Sequence, residues 1–95
     1  MSKHVSRKER WSRVDAKTHV SDLGTVAFRR GTWCARLVYR LLEPPGPDGG
    51  LPRPVPHDRW IGPFKRPRDA MVALEREVIA LRNRHGDQFR IGASG

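Results

Sequence analysis

The chain has 95 residues, with 19 Lys and Arg against 10 Asp and Glu, a formal charge of +9 and a pI near 11.3. At 37% apolar content it supports one small domain with one modest core. It contains no apolar run approaching the roughly 20 residues that cross a bilayer, and no signal-peptide core at its N-terminus. The single cysteine, Cys34, excludes an internal disulfide and fits a reducing compartment, so a soluble cytoplasmic protein is expected.

A charge this one-sided points to a polyanionic partner, nucleic acid first among them, ahead of an acidic protein or a membrane surface. Most of the cations are arginine, whose guanidinium can grip a phosphate or a guanine edge with two hydrogen bonds. A GC-rich coding sequence would enrich arginine as well, so the net charge carries more weight than the choice of cation.

In chain order, residues 1 to 22 read as a basic arm, flexible or with one short helical turn. Lys3, Arg7, Lys8, Arg10, Arg13 and Lys17 are spread along it, and Trp11 and Val14 stand three apart as its apolar pair. Such an arm could lie along phosphates or simply solubilise a terminus. Residues 23 to 86 read as the folded domain. Thr25 to Arg29 is a first strand with Val26 and Phe28 on one face, and Arg30-Gly31 is a tight turn, since Gly accepts the positive φ that hairpins need. The second strand puts Trp33, Ala35, Leu37, Tyr39 and Leu41 on one face and Cys34, Arg36, Val38 and Arg40 on the other, the period of a half-buried sheet.

Residues 43 to 58 hold six prolines and three glycines and read as a long irregular loop, because proline cannot donate to a ladder. Arg59 to Phe64 is a short third strand with Ile61 inward, Trp60 outward and a bend at Gly62-Pro63. Pro67 suits the first position of a helix running to about His85. Ala70, Met71, Leu74, Val78 and Leu81 form its apolar stripe, widened at the flank by Val72 and Ile79, and Gly86 stops it. Residues 87 to 95 read as a tail in which only Phe89 and Ile91 could pack. The expected fold class is α+β: a three-stranded antiparallel sheet packed against one C-terminal α-helix.

Catalytic chemistry finds little support. The histidines at 4, 19, 57 and 85 have no paired spacing for a metal. His57-Asp58 could be an acid–base couple but stands beside prolines without a nucleophile, and reads as a solvated loop pair. No glycine-rich phosphate loop joins a strand to a helix. No enzyme activity, cofactor, metal or membrane association is expected. The outer sheet face differs. Arg36 and Arg40 lie about 13 Å apart along one strand, Trp60 is expected on the next, Arg29 and Arg30 flank the first turn, and Lys65 and Arg66 sit at the rim. Guanidinium groups around a flat aromatic suit a major groove, where they reach phosphates and guanine edges while the ring packs on sugar or a thymine methyl. A merely solvated face is the bland alternative.

Gly24-x-Val26, Gly31-x-Trp33-x-Ala35-x-Leu37, Trp60-Ile61-Gly62-x-Phe64 and Asp69-Ala70 with Ala73 and Leu74 together resemble the APETALA/ethylene-response-factor domain. Relatives of that domain include the arm-binding N-terminal domains of phage tyrosine integrases. The resemblance covers residues 24 to 86. It implies a sheet that enters the major groove with outward Arg and Trp residues, at positions corresponding here to Cys34, Arg36, Val38 and Trp60. The pattern departs at Asp58, where plant members carry Arg, and in the longer connection between strands two and three. The expectation is a double-stranded DNA-binding protein, a small regulator of transcription or accessory factor of a phage, plasmid or bacterium. Its rivals are a double-stranded RNA binder and a protein-interaction module such as a phage inhibitor of a host protein, the latter resting on Trp60 and the proline-rich loop.

Overall fold

A computed structural model describes residues 10–47 and 49–92. Six strands form one antiparallel sheet: β1 (Ser12–Asp15), β2 (Thr18–Val20), β3 (Thr25–Arg29), β4 (Thr32–Glu43), β5 (Arg53–Phe64) and β6 (Phe89–Ile91). The order is β1-β2-β3-β4-β5, and β6 also pairs with β4. The 12-residue β4 is the spine. One of its edges is shared, with β3 taking Thr32 to Arg36 and β6 taking Tyr39 to Leu41, while β5 lines the other from Trp33 to Glu43.

Helix α1 (Pro67–His85) covers one face of this sheet. Pro67 holds the preceding Arg66 in extended backbone (φ −128°, ψ 146°), which sets the sharp entry from β5. Asp69 in the first turn and Arg82, Arg84 and His85 in the last match the helix dipole, and Gly86, with φ 58°, returns its N–H to the Arg82 carbonyl. Ala70, Met71, Leu74, Val78 and Leu81 are buried as their spacing predicts. They meet Val26, Ala35, Leu37 and Tyr39 of the sheet. Leu37, Leu74, Val26 and Val78 are the largest fully buried side chains, each worth about 1.5–3 kcal/mol of transfer free energy. Ile79 does not widen the stripe; it lies 58% exposed on the far side of the helix.

The α+β class and the C-terminal helix stand, but the sheet is wider than three strands. Residues 12–20 are not an arm. They fold as the β1–β2 hairpin, continuing the sheet through Thr18↔Ala27, His19↔Val26 and Val20↔Thr25. Trp11 anchors it in the core at 6% exposed and donates its indole N–H to Glu75 (3.2 Å), whereas Val14 faces solvent. Residues 87–92 are not a tail either. The edge of β4 beyond the end of β3 needs a partner, and β6 supplies it, burying Phe89 and continuing with Gly92 N–H to the Val38 carbonyl (2.8 Å).

The proline-rich connection is also shorter than residues 43 to 58, because β4 runs to Glu43 and β5 begins at Arg53. Pro54 and Pro56 sit within β5, opposite Leu42 and Arg40. They are tolerated because β5 is an edge strand. Residues two apart turn their nitrogens the same way, so both face the open side while Arg53, Val55 and His57 face β4. The bend at Gly62-Pro63 is a bulge. Ile61 pairs with Ala35 and Phe64 with Trp33, so two residues oppose the one at Cys34 and Phe64 is returned to the helix side. Gly62 has φ 144°, and a Cβ there would meet the Trp33 carbonyl and Cys34 Sγ at 3.2 and 3.3 Å.

Candidate nucleic-acid interface

The face of the sheet opposite α1 is built by register. Arg36 is opposite Thr25 on one side and Trp60 on the other, Val38 opposite Asp58, and Arg40 opposite Pro56 and Arg90. All of these point away from the helix, because their alternates Ala35, Leu37 and Tyr39 fill the core. Trp60 is 43% exposed. The Arg29 guanidinium carbon sits 4.4 Å from its ring centroid and that of Arg36 5.8 Å, so two cations lie against one aromatic ring. Beside them a shallow depression of about 250 Å³ is lined by Arg29, Arg30, Thr32, Cys34 and Trp60.

Arg36 is not an unpaired charge. Its Nε and Nη2 donate to Asp58 Oδ1 and Oδ2 at 3.0 and 2.6 Å, a bidentate pair across the diagonal of the β4–β5 ladder. Both side chains are about half exposed. The hydrogen bonds from Arg36 hold the Asp58 carboxyl below the usual carboxylate range, and the same bonds raise Arg36 above its ordinary value.

One end of the sheet concentrates the remaining charge. The β3–β4 turn places Arg30 and Gly31 with φ 53° and 81°, the pair of positive angles that a two-residue hairpin demands. Arg30 therefore occupies a backbone region that costs an arginine more than a glycine or asparagine, and it presents an exposed cation at the tip. Phe64 pairs with Trp33 two residues beyond that turn, so Lys65 and Arg66 emerge beside it, both exposed. The β1–β2 turn reaches the same end, where the Phe28 N–H donates to the Lys17 carbonyl at 2.8 Å.

Arg29, Arg30, Arg36, Arg40, Trp60, Lys65 and Arg66 thus lie on the outer face or its rim, with Arg36 neutralised. The arm residues divide. Lys3, Arg7 and Lys8 lie outside the described residues. Arg10 is drawn to Asp22 (3.6 Å) and Glu75 (4.0 Å). Arg13, opposite His19 and so on the helix side, donates to the Asp15 carbonyl at 3.3 Å. Neither belongs to the outer face. His57 and Asp58 form no couple, because adjacent strand residues point apart: His57 stacks on Tyr39 under the sheet (centroids 4.9 Å, 11° between planes). Arg90 was overlooked; its only signal is the apolar-charged-apolar alternation of Phe89-Arg90-Ile91.

No helix among the described residues is long and apolar enough to cross a membrane. Comparison of the chain with protein-family models, with curated proteins and with solved structures yields no match.

Proposed function

We propose that the chain binds double-stranded DNA by laying the outer face of β3, β4 and β5 into a major groove, as a small regulator or accessory factor of a phage, plasmid or bacterium. The observation that carries this reading is Trp60 with the Arg29 and Arg36 guanidinium groups against its ring, on the face that α1 leaves uncovered. Trp60 offers a flat surface to sugars or a thymine methyl. Arg29 and Arg30 approach guanine edges, and Lys65, Arg66 and Lys17 at the sheet's end meet phosphates. The resemblance of residues 24 to 86 to the APETALA/ethylene-response-factor domain supports the same pose, with the three central strands as the reading unit.

A protein partner is the second reading, and the Arg36–Asp58 pair favours it, since a carboxylate in the middle of the face opposes phosphate. Titration of the labelled chain with a short random duplex separates the two. DNA binding requires shifts at Arg36, Val38, Arg40 and Trp60, and about a tenfold or greater loss of affinity when Arg29 and Arg30 are both changed to Ala. Absence of any shift at low salt would sink the DNA reading. A partner bound through Trp60 would instead tolerate the arginine changes and be lost on Trp60→Ala.

A further inference from the structure

A second gathering of arginines lies at the margin of the sheet. Arg40 and Arg90 are direct register partners on β4 and β6. That placement sets two positive side chains side by side on one face, where like charges repel. Arg82, from the last turn of α1, joins them around an open cavity of about 620 Å³ whose wall includes Gly86, Asp87 and Phe89. The ion pairs seen among the described residues involve Arg10, Arg36 and Arg59, so none of these three guanidinium groups has a carboxylate partner there. Arg40 Nε is moreover buried without a hydrogen-bond partner, a state in which folded proteins rarely leave a donor.

We infer that this cavity is an oxyanion site that takes a phosphate group through Arg40, Arg82 and Arg90. A tetrahedral anion among Arg40, Arg82 and Arg90 offsets their mutual repulsion, with Arg82 contributed by the helix and the other two by the sheet. Guanidinium groups suit the task because each presents parallel donors to two phosphate oxygens. Asp87 is the one carboxylate on the wall, against three guanidinium groups. Arg40 and Arg90 also belong to the outer face, so the phosphate is assigned to the backbone of a duplex lying on that face; this assignment of source rests on the DNA reading. The site itself does not.

The test is NMR of the full chain, following the Arg Nε–Hε signals and the Gly86 and Phe89 amides. Inorganic phosphate is titrated at ionic strength held constant with chloride, and then a short duplex. The expected result is a saturable shift at Arg40, Arg90 and Gly86 with phosphate. In an Arg82→Gln/Arg90→Gln variant it weakens about tenfold or more. Both residues are exposed, so the variant's spectrum should stay dispersed and its response interpretable. A duplex that shifts the cavity together with Trp60 supports the backbone source. A duplex that shifts Trp60 alone, while phosphate still saturates, supports the site with free phosphate as its ligand. The inference is overturned if phosphate acts no differently from chloride, or if the double variant binds it equally well. The Trp60 response to duplex then decides the DNA reading separately.

Discussion

Asp58 decides how much of the outer face's charge is available to a partner. Period-two alternation makes the outward placement of Arg36 and Trp60 legible in the sequence. It does not reveal that Arg36 and Asp58 meet, because that depends on which residue of β5 stands opposite Val38. The register runs unbroken from Glu43↔Arg53 to Ala35↔Ile61, and the bulge at Gly62-Pro63 shifts it only beyond that point. Asp58→Asn should release the Arg36 guanidinium and raise affinity for duplex DNA about five- to tenfold at low salt, the effect of one more phosphate contact. The melting temperature should hardly move, since a half-exposed pair contributes little. The folded Asp58 pKa is depressed, so whatever stability the pair adds is present above the ordinary aspartate range and lost only as pH falls through the lowered value. The contribution of Asp58 protonation to DNA binding should therefore enter only below the usual carboxylate range, and Asp58→Asn should remove that part of the acid response. Fluorescence anisotropy across pH checks both statements, and an unchanged or weaker affinity in the variant would contradict them.

At the scale of elements, α1, β3 and β4 were readable because each repeats its period long enough to be unmistakable. The β1–β2 hairpin was not. Its strands have four and three residues, too few for alternation to show, and its turn at Ala16-Lys17 lacks a glycine. Trp11 and Val14 carried a misleading helical spacing, and only Trp11 is buried. β5 was half readable: prolines hid its first residues, because the edge position that excuses them is a property of the sheet and not of the segment. The hairpin hangs on Trp11, which fills the core and bonds Glu75 of α1. Trp11→Ala should cost about 3–5 kcal/mol of stability. Hydrogen exchange in residues 12–20 should accelerate most, while the amides of β4 and α1 stay the best protected. Equal acceleration everywhere would show that the hairpin is not a separable unit.

For the whole molecule, a formal charge of +9 sets the expected strength of salt dependence. If the cations at the sheet's end contribute four or so phosphate contacts, affinity for duplex DNA should fall by about two orders of magnitude between 50 and 200 mM salt. A protein partner held through Trp60 should show a far flatter response. Measuring binding at several salt concentrations checks this, and a slope near zero would argue against nucleic acid. The charge was the most legible feature of the chain, yet its distribution was not. Arg10, Arg36 and Arg59 are engaged with carboxylates, Arg59 bonding Glu77 on the helix side at 2.7 Å, while Arg40, Arg82 and Arg90 converge from segments far apart in sequence. Such convergence follows from β6 returning to the spine of the sheet, a pairing that three residues alone could not announce.

The prolines of β5 have one more effect. A protein that crowds onto a polyanion raises its own local concentration, and an open sheet edge is where neighbouring copies would zip together into polymers. Pro54 and Pro56 remove two successive donors from that edge, and Pro52 precedes them in the same alternation. At these two positions an incoming strand finds acceptors without donors, so pairing along this half of β5 is weakened. The segment that looks least ordered in the sequence therefore blunts the first half of the β5 edge against strand addition.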